Sequence, residues 1–296
     1  MDYGIKLDGL PAERVRGLAT PIDRSGLDEL WVVEDLGLAG GFAQAATLLA
    51  DTSAVRVGLG ISPAAVRNPA YLAMEIATLG RMHPGRFRSG IGHGMPGWLR
   101  QVGAHPAGLM TALDEVTAAV RRLLAGETVS LDGGHVHLDG VALTHPPRVP
   151  PTLHLGVRGP KGMALAARAA DGVILAEGSG PGYVRSVRDA VGPGRRITVF
   201  AWLCLRPDGE AARAALRPVV ERALGQDFMR FQLGAASTVD DALDQVTVAG
   251  DLAGCLRQLE NLAEAGADAV VFAPLPGEER DQIDALRDTL LPAIRR

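Results

Sequence analysis

Short apolar runs alternate with longer stretches of helical periodicity along this chain. The apolar runs are Tyr3–Asp8, Glu29–Glu34, Val55–Ile61, a glycine-rich run within Arg86–Trp98, Thr152–Val157, Val173–Ala176, Arg196–Leu205 and Ala269–Ala273. Runs of this kind, with little polar alternation, suit strands of a parallel sheet covered on both faces. Between them, Val15 and Leu18 share a face of a helix over Pro11–Arg24. Leu72, Ile76 and Leu79 do the same in a helix that starts at Asn68-Pro69, where Asn caps and Pro occupies the first turn. Leu113, Val116, Val120 and Leu123 mark a long helix over Leu109–Ala125. Further helices are predicted over Phe42–Ala50, Gly162–Ala170, Tyr183–Val191, Asp208–Leu224, Asp251–Gly266 and Arg280–Arg295, with a loop and short helices in 225–245. Eight strands alternating with helices predict an α/β chain forming one (β/α)8 barrel over 1–296, with a doubly wound open sheet as the runner-up. Residues 127–150 break the rhythm. There Thr128–Leu131 and His135–Leu138 flank Asp132-Gly-Gly134 and predict a small hairpin insertion.

Composition alters this picture little. The chain has 296 residues, 47% hydrophobic and 22% charged, as expected for a globular protein with a sizeable core. A formal net charge of −4 and the absence of any basic run longer than two residues argue against a nucleic-acid partner. No uncharged apolar run reaches the length of a membrane span, and the first residues lack a signal-peptide pattern, so a cytoplasmic location is expected. Cys204 and Cys255 lie in apolar elements and suit buried small hydrophobes better than a disulfide framework.

Active sites of such barrels sit at the C-terminal ends of the strands. That rule selects Asp8, Glu34, Asp35, Gly60, Ser62, His93, Gly94, Val157, Arg158, Glu177 and Phe272. Gly90, Gly92 and Gly94 fall on one face of a strand and leave bare backbone, either for a ligand or for a tight bend. His93 then points the other way unless the chain bends between Gly92 and Gly94, and it reads equally as a proton donor or a structural histidine. Glu34 and Asp35 face opposite ways on a regular strand, so one reaches the pocket and the other pairs with an arginine. Gly156 to Gly162 carries Arg158 and Lys161 into a helix start, and Gly178–Gly182 opens the next helix. Both suit phosphate, and both also suit an ordinary short connection that needs glycine. His135 and His137 alternate on the hairpin without a third ligand nearby, so no metal site is predicted. With no nucleophile motif and few acid–base groups, the site matches an enzyme whose cofactor carries the reaction.

Four segments taken together carry a family resemblance. They are Leu30-Trp-Val-Val-Glu-Asp35; Val57–Pro63 with Arg67-Asn-Pro69; Gly85-Arg-Phe87 with Gly90–Gly94; and Gly156–Pro160 with Ala170-Asp-Gly172. Over nearly its whole length the chain resembles the bacterial luciferase-like monooxygenase superfamily, in particular its F420 (deazaflavin)-dependent oxidoreductases. The resemblance implies a TIM barrel with a hairpin insertion, a homodimer, and F420 as cofactor with FMN as the alternative. It implies a bulged third strand with a non-prolyl cis peptide, expected at Leu59–Gly60, so that Leu59, Gly60 and Ile61 back the cofactor ring. Gly92, His93 and Gly94 would contact the ring or its side chain. Val157, Gly159 and Pro160, with Arg158 and Lys161, would hold the phosphate end. Asp35 and Met95 stand where many deazaflavin-dependent sugar-phosphate and alcohol dehydrogenases place a histidine and an acidic residue, which favours the family's reductases. The expected activity is hydride transfer from reduced F420 to an electron-poor C=C or C=N bond of a small-molecule or peptide-derived substrate, with Asp35, Glu34 and His93 as candidate proton carriers. The alternatives are an FMN-dependent monooxygenase and a cofactor-less barrel acting as a binding protein.

Overall fold

In chain order the barrel strands begin with β1 (Asp2–Leu7), β2 (Glu29–Val32), β3 (Arg56–Pro63) and β4 (Phe87–Gly92). A two-stranded hairpin of β5 (Val129–Asp132) and β6 (His137–Val141) follows, and then β7 (Thr152–Gly156), β8 (Gly172–Leu175), β9 (Arg196–Leu205), β10 (Thr247–Gly250) and β11 (Ala269–Pro274). These elements come from a computed structural model that describes residues 1–226, 229, 232 and 238–295. Parallel pairing runs β11-β1-β2-β3-β4-β7-β8-β9 and returns from β9 to β11, which closes an eight-stranded barrel. The expected TIM barrel is therefore the observed fold.

Helices α1 (Ala12–Asp23), α2 (Gly41–Asp51), α3 (Pro69–Met82), α4 (Pro96–Gln101), α5 (Leu109–Leu124), α6 (Gly159–Ala169), α7 (Pro181–Val191) and α8 (Gly209–Leu224) connect the first strands. The predicted cap holds at α3, where the Asn68 side chain accepts from the Ala70 N–H at 2.9 Å. Leu113, Val116, Val120 and Leu123 of α5 are all 0% exposed. Burying each such side chain contributes about 1.5–3 kcal/mol, which is what fixes this helix against the barrel. The Glu115 carboxylate on α5 accepts from the N–H groups of Gly134, His135 and Val136 at 2.8, 2.8 and 2.9 Å and staples the hairpin turn to the helix.

The structure departs from the sequence reading at several points, α4 among them, which no periodicity announced. β10 lies where no strand was expected, after a helix over Val239–Val246. It pairs with Trp202–Leu205, the half of β9 that β8 does not reach. Four residues are too few to show a period. Of the loop and short helices expected in 225–245, residues 227–228, 230–231 and 233–237 lie outside the described residues. Helix α6 starts at Gly159 rather than Gly162, because Pro160 in its first turn has a backbone angle already suited to a helix. The final helix is not continuous over Arg280–Arg295: Glu279–Ala285 passes through a π-helical turn, Leu286–Leu290, into Leu291–Ile294.

Side chains fill the barrel in layers. At its N-terminal end Glu29 is 0% exposed. Arg88 Nε, Arg196 Nη2 and Arg56 Nε lie 2.7, 2.9 and 3.6 Å from Glu29 Oε1. Asp2 bridges Arg196 and Arg56 at 2.6 and 2.8 Å. Trp31 fills the middle, donating its Nε1–H to Glu29 at 2.8 Å and meeting Phe200 edge-on at 5.5 Å between ring centroids. Gly58 makes this possible: a Cβ there would sit 2.2 Å from the Trp31 ring. His154 shares the layer, and burial together with Arg88 and Arg196 pushes its pKa down to about 3, so the ring is neutral. Above them pack Ile61, Ile174 and Phe200.

Candidate active site

A cavity of about 230 Å³ opens at the C-terminal ends of the strands. Its charged and polar lining includes Lys6, Glu34, Asp35, His93, Arg158 and Glu177, and Ile61, Trp98, Val157, Ile174 and Phe200 supply much of the apolar wall. The volume lies just under the range of roughly 300–1,000 Å³ typical of complete ligand pockets, so it suits the planar part of a cofactor or a small substrate.

The third strand carries the floor. Its pairing with β4 shifts register between Leu59 and Ser62, and the Gly60–Ile61 peptide is cis. The bulge is where the resemblance implied it, and the cis bond is one residue later than Leu59–Gly60. Gly60 and Ile61 line the cavity, whereas Leu59 is 0% exposed and belongs to the core outside the barrel. A Cβ on Gly41 of α2 would lie 2.5 Å from Leu59 Cδ1, which shows the direction of that side chain.

Gly90 and Gly92 do not leave a bare wall. A Cβ on Gly90 would lie 2.6 Å from Ile174 Cδ1, and one on Gly92 would lie 3.0 Å from Ile61 Cδ1. Their absent side chains make room for Ile61 and Ile174, which themselves face the cavity. The chain then bends at Gly94, with φ +73°, and this brings both His93 and Gly94 to the cavity. His93 Nδ1 lies 2.7 Å from the Gly94 carbonyl oxygen. A carbonyl only accepts, so Nδ1 carries the hydrogen and Nε2 of the neutral ring is left as an acceptor.

The two adjacent carboxylates differ sharply. Glu34 is held by Arg67 through Nη1 at 2.5 Å and Nη2 at 2.6 Å, and it accepts from Ser62 Oγ at 2.9 Å. This is the expected pairing of one acid with an arginine. The Asp35 carboxylate makes no side-chain hydrogen bond or ion pair among the described residues. Burial raises its pKa, the nearby Lys6 charge opposes that, and Asp8 and Glu177 add to the rise. Lys6 Nζ lies 2.7 Å from Asp8 Oδ2, pairs also with Glu177, and stands 5.6 Å from the centre of the Phe200 ring. Burial alone would lower the Lys6 pKa, but Glu177 and Asp8 outweigh it and hold the ammonium charged.

Beyond β7 and β8, helices α6 and α7 start beside the cavity. Val157 and Arg158 line it, but Gly159, Pro160 and Lys161 do not. Burial lowers the Arg158 pKa, and the same effect raises that of Tyr183, which also lines the cavity. Two strand-end candidates are placed elsewhere. Phe272 is 0% exposed and stacks on Tyr3 at 6.2 Å, outside the barrel, because Val271 takes the inward position. Ser62 is buried beneath Glu34. Lys6 and Phe200 lie on barrel strands, but alternation alone does not say that their side chains face inward. Tyr183, Trp98 and Gln232 each reach the cavity from outside the barrel strands. Among the described residues no group of three or more His, Cys, Asp or Glu could hold a metal ion.

Known proteins are similar to this chain over nearly its whole length. The 5,10-methylenetetrahydromethanopterin reductase of Methanolobus tindarius is 21% identical over 316 positions, covering 95% of this chain and 97% of its own. The F420-dependent glucose-6-phosphate dehydrogenase of Nakamurella multipartita is 26% identical, covering 94% of this chain and 91% of its own. The structure of an F420-dependent secondary alcohol dehydrogenase in complex with an F420-acetone adduct superposes with a TM-score of 0.84 at 22% identity, over 100% of this chain and 99% of the other. The family model for luciferase-like monooxygenase matches residues 4–269, so this chain belongs to the luciferase-like monooxygenase family.

Proposed function

We propose that the protein is an oxidoreductase that uses F420 to reduce an electron-poor C=C or C=N bond. The observation that carries this reading is the half-buried Asp35, a carboxylate without a partner among the described residues, at a cavity floored by the Gly60–Ile61 bulge. The relatives named as F420-dependent support the cofactor. The residues present fit a flat heterocycle, since Gly60, Ile61, Gly94 and Val157 form a wall without charge. Gly60 and Ile61 would lie against the ring with Leu59 and Gly92 behind them, and His93 and Gly94 would border it. Val157 and Arg158, with Gly159, Pro160 and Lys161 at the start of α6, would face the phosphate end, where a helix N-terminus favours an anion. When bound and reduced, F420 supplies a hydride.

The chain's own tasks are to position the acceptor, exclude water and deliver one proton. Asp35 is assigned the proton, because its raised pKa keeps hydrogen on the carboxyl at higher pH than usual. Glu34 is assigned to positioning, since Arg67 and Ser62 occupy it. His93 is assigned the role of acceptor through Nε2. Titration of the purified protein with F420 and with FMN tests the cofactor. Binding of F420, followed by oxidation of its reduced form on addition of unsaturated acceptors, is expected. Tight FMN binding without F420 affinity would favour the FMN-dependent monooxygenase, a reading that the family's own description supports.

The homodimer belongs to the same proposal. Tyr71, Met74 and Met82 of α3 are 67%, 50% and 66% exposed, an apolar stripe at helical spacing on a surface helix. A second copy covering it is expected to appear as a dimer in sedimentation velocity, and Met74→Glu is expected to shift it to monomer.

A further inference from the structure

The acceptors around Asp35 narrow the substrate class. Gln232 is 1% exposed and lines the cavity. Its Nε2 donates to the carbonyl oxygens of Ala176 and Glu177 at 3.1 and 3.2 Å, and to Ser179 Oγ at 3.2 Å. Carbonyls only accept, so the orientation of the amide is fixed and Oε1 is left as an acceptor. Among the described residues Gln232 Oε1 has no hydrogen-bond partner. A buried acceptor of this kind is unfavourable unless a donor arrives from outside the chain.

Charge points the same way. The charges that reach Asp35 are those of Lys6, Asp8 and Glu177, one cation against two further carboxylates. The Lys6 ammonium already pairs with both Asp8 and Glu177. Arg158, which also feels Glu177, raises the cations to two, against three carboxylates once Asp35 has passed its proton to the substrate nitrogen. Glu34 adds nothing to the balance because Arg67 neutralises it. Around this surplus stand Ile174, Phe200 and Trp98. An apolar surround strengthens each charge interaction, and an aromatic face attracts a cation.

We propose that the substrate presents a positively charged nitrogen bearing hydrogen, an amine or a protonated C=N group, received by Glu177, Asp35 and Gln232 Oε1. The proposal rests on the oxidoreductase reading for the reaction that follows, and on the cavity alone for what binds. A carboxylate would meet repulsion from the surplus.

Benzylammonium, benzyl alcohol and benzoate serve as probes of one shape and three charges. Their dissociation constants are measured by ligand-detected NMR on the purified protein, with and without F420. Benzylammonium is expected to bind about tenfold or more tightly than the other two. Glu177→Gln and Gln232→Met, each checked for an unchanged melting temperature and F420 affinity, are expected to remove most of that preference. Equal or tighter binding of benzyl alcohol or benzoate overturns the proposal. So does failure of benzylammonium to bind protein that does bind F420. If F420 fails to bind but the ammonium preference persists, the cofactor reading falls and this proposal stands.

Discussion

At the N-terminal end of the barrel three guanidinium groups surround two carboxylates, and at the C-terminal end one buried ammonium stands among three. Asp2 and Glu29 at the lower end are each contacted by Arg56, Arg88 and Arg196 within 4 Å, and Trp31 occupies the other oxygen of Glu29. At the upper end Lys6 is shared by Asp8 and Glu177, and Asp35 is left over. The lower cluster spends its carboxylates on the protein itself and closes the barrel. The upper cluster keeps acceptors in reserve at a cavity. Buried ion pairs thus mark structure or chemistry according to whether the count of partners closes within the chain.

The comparison breaks first at Glu29. Glu29→Gln leaves three arginines facing Asp2 alone, and loss of one partner in a buried pair costs about 3–5 kcal/mol. Chemical denaturation is expected to show that loss, with F420 affinity of the folded fraction unchanged. Asp35→Asn is expected to do the reverse. Turnover of reduced F420 with an acceptor should fall about a hundredfold, the low end for loss of a proton carrier, with little loss of stability. Equal destabilisation by the two variants would erase the distinction between the ends.

Between the clusters, Gly58→Ala tests the layer that separates them. The added methyl would press on Trp31, and overpacking of this kind costs about 1–3 kcal/mol. Denaturant midpoints would record it.

The smallest effects are in pH dependence, and they have opposite signs. Burial would raise the Asp2 pKa, but Arg196, Arg56 and Arg88 outweigh it and the value is lowered. Its stabilisation is present above the ordinary carboxylate value of about 3.9 and is lost as pH falls through the lowered one. Asp35, raised mainly by burial, contributes stability below that ordinary value and loses it as pH rises through the raised one. Denaturation midpoints across acid pH are therefore expected to lose part of their acid limb in Asp2→Asn, and to decline less toward neutral pH in Asp35→Asn.

Much of the barrel was legible in the sequence. Its strands read as largely apolar runs, and Leu113, Val116, Val120 and Leu123 repeat at a helical period, so local chemistry alone separates the elements. The strand-end rule then found Asp8, Glu34, Asp35, His93, Arg158 and Glu177. It missed Lys6, because a lysine in an apolar strand has no local mark of its partners. It misassigned Phe272, because alternation tells that neighbours face opposite ways but not which one faces in.

What the sequence determined by itself is periodicity, meaning the order and type of elements and the closed α/β architecture; the family came from the resemblance of motifs such as Leu30–Asp35 and Gly156–Pro160. Direction and pairing were decided only by the tertiary structure. Gly90 and Gly92 looked like a bare wall and instead admit Ile61 and Ile174. Glu34 and Asp35 were equivalent as letters until Arg67, from the loop before α3, took one of them. Gln232 came to the cavity from a segment with no readable pattern. Which side chain is satisfied and which is left free depends on groups far apart along the chain, and no local pattern encodes that.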